Sequence, residues 1–243
     1  MTFKNMITGI LLSLLCVSYS ANAQPEEGTK KELTQKQQGL ISIAAYTAQG
    51  DLINLESALN QGLDAGLTVN EIKEALIHLY AYAGFPRSIR GLQTFMSVLE
   101  ERKARGIKDE QGPEASPISE EPSKYERGKA VLEELIQAPL DGPHTGYAAF
   151  APTIEVFLKE HLFADLFERD VLTFAQRELV TISVLSSIGK VEPMLNSHFN
   201  ICLNLGLTPG QLLHFTKIIG STIGEKEANA AESVLNEVLE ERK

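Results

Sequence analysis

Leu55-Glu56-Ser57-Ala58-Leu59-Asn60-Gln61-Gly62-Leu63-Asp64-Ala65-Gly66-Leu67-Thr68 lies in register over Leu195-Asn196-Ser197-His198-Phe199-Asn200-Ile201-Cys202-Leu203-Asn204-Leu205-Gly206-Leu207-Thr208, an offset of 140 residues. The same offset places Gly84 over Gly224, and Val98-Leu99-Glu100-Glu101-Arg102-Lys103 over the identical hexapeptide Val238 to Lys243. With one gap, Leu40-Ile41-Ser42-Ile43-Ala44 overlies Leu179-Val180-Thr181-Ile182-Ser183. Agreement in register across three separate stretches marks a tandem duplication.

Each copy reads as helical. Leu55, Leu59 and Leu63, then Ile72, Leu76 and Leu79, recur at the three-and-four spacing of an amphipathic helix. Gly66 and Gly206 follow their helices where a left-handed residue is wanted. Thr68 opens the next helix with Glu71 three residues on, a capping-box pattern, and Thr208-Pro209 puts proline at a first helical position. No segment shows a convincing period-two alternation, so the fold class is all-α.

The outward limits follow from composition. The 243 residues carry 22 Lys+Arg against 32 Asp+Glu, a formal net charge of −10, which argues against non-specific nucleic-acid binding. Trp is absent and aromatics are only 7%, so a base-stacking platform is not expected. Lys4 followed by the apolar run Ile7 to Val17 and by Ala21-Asn22-Ala23 has the form of a secretory leader, residues 1–23, cleaved after Ala23. That run is well short of the ~20 residues a bilayer span needs. The expectation is a periplasmic or secreted protein with no membrane association once the leader is removed. Only Cys202 would then remain, and no intrachain disulfide is possible.

Two copies are expected, at 33–105 and 124–243, joined by a linker at 106–123. Gly112-Pro113-Glu114-Ala115-Ser116-Pro117 and Glu120-Glu121-Pro122 give that linker a Pro/Glu/Ser-rich character that does not sustain a packed element. Tyr125 to Gln137 resumes as a helix, Asp141-Gly142-Pro143-His144 marks a turn, and Ile154 to Phe167 is an amphipathic helix that the first copy lacks.

Arg177-Glu178-Leu179-Val180-Thr181-Ile182, then Ser197-His198, then Leu205-Gly206-Leu207-Thr208 resemble the signature of the carboxymuconolactone decarboxylase family. In the first copy Glu71-Ile72-Lys73-Glu74-Ala75-Leu76 and Tyr82-Ala83-Gly84-Phe85-Pro86-Arg87 are similar to the later part of the same signature. The resemblance implies an all-helical domain that assembles into rings, so that a two-copy chain would form a homotrimer of six domains. It also implies one of two chemistries. The alkylhydroperoxidase D-like branch uses a Cys-x-x-Cys pair, but the positions seven and four before His198 are Val191 and Met194, and the first copy has no cysteine. Dithiol peroxidase chemistry needs a thiolate and a resolving thiol, so it is disfavoured. The other branch is a cofactor-free decarboxylase acting on a carboxylated lactone. There a carboxylate leaves, charge spreads over the lactone, and a proton is delivered.

Glu178 and His198 sit at the positions the resemblance marks as functional. His198 can donate a proton near neutral pH, or simply pack on its helix; its first-copy equivalent is Ala58, so the fold does not require imidazole there. Glu178 can orient His198 or merely stabilise a helix N-terminus; its counterpart is Gly39. An ideal antiparallel hairpin would leave the two ~10 Å out of level, so a crossing angle or a water is needed to pair them. Arg87 can clamp a substrate carboxylate or form a surface ion pair, and Glu227 replaces it in the second copy. Tyr82 is a candidate pocket hydroxyl or a core aromatic, with His78 and Tyr80 on the same helix. Cys202 reads as a buried inert thiol. His144, His161 and His214 lack metal-ligand spacing, so no metal is expected.

The copies have thus kept opposite halves of the motif, which suggests one composite site where they meet, with Glu178 and His198 facing Tyr82 and Arg87. On that arrangement Arg87→Ala should abolish binding of a carboxylated ligand as completely as His198→Ala. The functional expectation is an exported, cofactor-free enzyme doing acid–base chemistry on a small carboxylate or lactone. Its rival is a non-catalytic helical assembly with a decayed site.

Overall fold

A computed structural model describes residues 32–243; the leader expected at 1–23 lies outside them. Among the described residues there is no strand, and the chain is all-α. Four helices form the first copy: α1 (Gln35–Gln49), α2 (Leu52–Asp64), α3 (Val69–His78) and α4 (Tyr80–Ala104). An inserted segment follows, with α5 (Lys124–Ile136), the short α6 (Gly146–Phe150), and α7 (Pro152–Phe157) running into a π-helical segment, Leu158–Leu166. The second copy is α8 (Phe174–Ile188), α9 (Glu192–Asn204), α10 (Pro209–Ile223) and α11 (Glu225–Glu241).

The duplication is visible in how several equivalent helices are started and stopped. Thr34 and Gln37 close a capping box on α1, and Thr173 and Gln176 close the equivalent box on α8. Thr68 with Glu71 caps α3, as Thr208 with Gln211 caps α10. Gly66 and Gly206 take φ of 91° and 88° directly after α2 and α9. Gly84 (φ 81°, ψ 160°) and Gly224 (φ 122°, ψ 158°) break the chain at one equivalent point, in a region open essentially to glycine alone. In the first copy this break lies inside α4; in the second it separates α10 from α11.

The copies are not separate beads. Helices α1 and α8 lie side by side and run the same way. Their first turns, Thr34 to Gln37 and Thr173 to Gln176, flank one cleft, and at the far end Gln49 Nε2 donates to the Ser187 carbonyl at 2.6 Å. Ile41 and Ala45 of α1 are buried in the core of the second copy, among Leu179, Phe199 and Phe215. Val180 and Val184 of α8 are buried in the core of the first, among Leu40, Leu59 and Leu76. Each such large apolar side chain stabilises the packed state by about 1.5–3 kcal/mol, so the two copies hold each other folded.

The segment between the copies forms no helix or strand, as its composition predicts, but it is tied down as a strap. The Glu110 and Gln111 carbonyls accept from the Val69 and Asn70 backbone N–H groups, two donors that the first turn of α3 leaves unpaired. Asn70 Nδ2 reaches the Gly112 and Pro113 carbonyls, and Ser116 N–H donates to Asp170 Oδ1.

The inserted segment departs from the sequence reading. In place of one regular amphipathic helix over 154–167, the chain widens into a π turn, with Phe167 N–H donating to the Leu162 carbonyl five residues back. Helix α5 packs across this segment so tightly that a Cβ on Gly128 would lie 1.8 Å from the Lys159 carbonyl oxygen. Together α5 and the π segment bury Leu135, Phe163, Leu166 and Phe167 against Ile201 of α9.

Candidate active site

Helix α8 carries the site. Its first turns hold Arg177, Glu178 and Thr181, all fully buried in a helix whose remaining course from Leu179 is Leu, Val, Ile and Ser. Glu178 Oε2 lies 2.7 Å from His198 Nδ1 on α9. The separation expected for a level hairpin therefore closes directly and without a bridging water. Gly189 and Lys190, at φ 63° and 59°, turn the chain between the helices, and α9 must cross α8 at an angle for the two side chains to meet.

A carboxylate acceptor on Nδ1 leaves Nε2 as the free nitrogen of the ring. Among the described residues Nε2 has no hydrogen-bond partner, and the His198 side chain retains 14% exposure while that of Glu178 has none. The other carboxylate oxygen, Glu178 Oε1, is buried and also without a protein partner. Cys202, one turn beyond His198, is completely buried, and burial with the nearby Glu178 charge pushes its thiol well above the usual range. It is a protonated core thiol, as its place on the apolar face predicts.

The first copy contributes Tyr82. Its ring meets that of His198 edge-on, with centroids 5.9 Å apart, and it packs against the cores of both copies and of the inserted hairpin. The Tyr82 hydroxyl is buried beside Thr181 and makes no well-formed hydrogen bond. Burial, and then the Glu178 charge, drive its pKa far above the ordinary phenol value, so it stays protonated.

Arg87 does not join them. It is exposed, and its guanidinium rests on Gly50 at the end of α1, where a Cβ would overlap it. The break at Gly84 is the reason: Tyr82, before it, turns inward, and Arg87, three residues after it, begins a new helical course on the surface. The composite site forms across the copies with Tyr82 but without Arg87.

Another arginine occupies the interior. Arg177 Nη2 donates to Glu74 Oε1 at 2.7 Å and to the Arg169 carbonyl, and Arg169 forks onto the same Glu74 carboxylate. Arg177 Nη1 lies 3.4 Å from His78 Nδ1, and His78 Nε2 lies 3.0 Å from Thr181 Oγ1. Since a guanidinium can only donate, His78 accepts at Nδ1 and its Nε2–H donates to Thr181. Burial, then the charges of Arg177 and His198, hold His78 well below the usual imidazole range. The sequence reading missed Arg177, Glu74 and Thr181 as site residues. The available signal was a charged Arg-Glu pair near the start of a helix that carries no other charge.

Among the described residues no cluster of His, Cys, Asp or Glu is arranged to hold a metal, and no helix is long and apolar enough to cross a membrane. The family model described as the carboxymuconolactone decarboxylase family matches residues 21–95 and again 152–237. A curated relative, the uncharacterized protein MJ1511 of Methanocaldococcus jannaschii, is 30% identical over 78 residues, covering 32% of this chain and 73% of the relative.

Proposed function

The chain belongs to the carboxymuconolactone decarboxylase family, and from that premise we propose that it is a cofactor-free acid–base enzyme acting on a small carboxylated or lactone substrate. The observation that carries the reading is the 2.7 Å bond from the buried Glu178 carboxylate to His198 Nδ1, with Nε2 left unpartnered. In a decarboxylation the bond to the leaving carboxylate breaks and its electron pair passes to the lactone carbonyl. In this reading Tyr82 O–H donates to that developing oxyanion, and His198, held at Nδ1 by Glu178, delivers from Nε2 the proton that completes the new C–H bond. Dithiol peroxidase chemistry is not part of the proposal, because the one cysteine in the described residues is buried and protonated.

Export through the leader ending at Ala23, and self-association of the two-copy chain as a trimer, complete the proposal. Phe85, Ile89 and Met96 leave one side of α4 apolar and exposed, which supports a contact with further copies. N-terminal sequencing of protein from fractionated cells should start at Gln24, and light scattering should give three chains.

The catalytic reading is tested by following carbon dioxide release from carboxymuconolactone and related carboxylated lactones. Wild type should turn over at least one of them, and His198→Asn should lower kcat by about 10²–10⁴-fold. Absence of turnover across the panel, or equal rates in His198→Asn, overturns it in favour of a binding protein.

A further inference from the structure

The repeat carries the Glu178–His198 site onto a second position in the first copy, and there the structure holds a cavity of about 470 Å³. That size is within the ordinary range of small-molecule sites. Its origin can be followed by residue. Gln38 stands in the place of Arg177, Gly39 of Glu178, Ser42 of Thr181, Ala58 of His198 and Ile218 of His78. In the second copy Ile201 and Leu205 are packed under α5 and the π segment; their equivalents here are Gln61 and Ala65, which line the open cleft instead. The ion pairs, the aromatic wall and the roof of the second-copy site are all replaced, and the space they occupied remains.

We propose that this cleft binds an uncharged, hydroxyl-rich small molecule, a polyol or monosaccharide, and holds it without transforming it. Its rim offers the amides of Gln35, Gln38 and Gln61 and the hydroxyls of Ser42 and Ser221. A side-chain amide presents a donor and an acceptor side by side, the pattern that neighbouring hydroxyls on a ligand match. Three of these groups are under-committed: Gln35 makes no side-chain hydrogen bond to the described residues, Gln61 has a single one of 3.3 Å to Ser57, and Ser42 reaches Thr222 at 3.4 Å. Gln38 Nε2 donates to the Leu33 carbonyl at 2.9 Å and Ser221 Oγ to the Ile218 carbonyl at 3.0 Å, which leaves the Gln38 amide oxygen and the Ser221 lone pairs to accept from a ligand. Ala58 and Ile218 give an aliphatic floor for the C–H face of such a ligand. The one charged group, Asp64, is tied to Arg102 at 2.9 Å, so an anion meets no free cation. The one carboxylate is held by Arg102, and the two serine hydroxyls contact Thr222 and the Ile218 carbonyl rather than an activating base, so binding without turnover follows. The inference is independent of the acid–base reading of His198.

Titration calorimetry, with the Ile218 methyl followed by NMR, tests it on the full chain using myo-inositol and glucose as neutral probes and gluconate as the anionic one. A neutral probe should saturate at millimolar concentration and shift Ile218, and gluconate should bind about tenfold more weakly. Ser42→Leu, which fills the cleft, should abolish binding. Gln61→Ala, at an exposed position where folding is not at stake, should weaken it several-fold, and His198→Asn should leave it unchanged. Failure of both neutral probes to saturate, equal or tighter binding of gluconate, or wild-type binding in Gln61→Ala overturns the proposal.

Discussion

Arg102 and Arg242 perform the same task at equivalent ends of the two copies. Arg102 donates through Nη1 to Asn60 Oδ1 at 3.2 Å and through Nη2 to Asp64 Oδ1 at 2.9 Å; Arg242 donates to Asn200 Oδ1 at 3.1 Å and to Asn204 Oδ1 at 2.9 Å. Each therefore fastens the last helix of its copy to the second. Their surroundings differ. Arg102 also forks onto Asp109, with only 5% and 11% of the two side chains exposed, whereas Arg242 is exposed and has neutral partners. Arg102→Met should therefore cost about 2–4 kcal/mol in urea unfolding, since it strands a largely buried carboxylate. Arg242→Met should cost less than about 1 kcal/mol. Equal losses would mean that the strap carrying Asp109 adds nothing to the clamp.

Glu74 links the copies in a different way. It lies on α3 of the first copy, 2% exposed, and receives Arg177 of the second copy and Arg169 just before it. Removing the carboxylate leaves a fully buried guanidinium without its counter-charge, a change that typically costs about 3–5 kcal/mol. Glu74→Gln should therefore lower the urea midpoint strongly. Because α3 and α8 come from different copies, the transition should also lose cooperativity and separate into two steps if the copies can then unfold one at a time. A single, barely shifted transition would show that the apolar exchange between α1 and α8 alone unites them.

His78 gives the fold an acid sensitivity of predictable sign. Burial, Arg177 and His198 hold its folded-state pKa well below the unfolded value of about 6.5. As pH falls through 6.5 the unfolded chain takes up a proton that the folded chain refuses, so stability declines with falling pH down to the folded value. The contribution approaches about 1.4 kcal/mol per pH unit. In His78→Asn that part of the slope between pH 6.5 and 5 should vanish. A slope unchanged from wild type would place the acid sensitivity in other groups.

Much of this was legible beforehand, and the exceptions have physical causes. The capping boxes at Thr68 and Thr208 and the left-handed glycines depend on local contacts, and the structure places them where the residues predict. The repeat identified Glu178 and His198 as residues the scaffold does not need. What separation along the chain could not supply was the crossing of α8 and α9, which depends on two left-handed residues between them. Arg87 was misplaced because a glycine break at Gly84 reverses inside and outside within three residues. The exchange of α1 and α8 between cores, and with it the role of Glu74, is a tertiary property that neither copy's periodicity encodes.

Tyr82 separates function from stability most cleanly. Its hydroxyl is buried with only a poorly formed contact to Thr181, a state that costs the folded protein up to about 1–3 kcal/mol of lost hydration. A scaffold has no use for that arrangement, whereas a site that must donate to a transient oxyanion does. Tyr82→Phe keeps the ring against His198 and all three cores and deletes only the unsatisfied group. Its melting temperature should rise or stay level, while kcat on a turned-over lactone should fall about 10²–10³-fold with little change in KM. Arg87→Ala, in contrast with the expectation from sequence, should leave both nearly untouched, because its guanidinium rests on Gly50 away from the pair. A Tyr82→Phe variant that loses stability but keeps its rate would assign the hydroxyl to the fold and leave Glu178 and His198 to act alone.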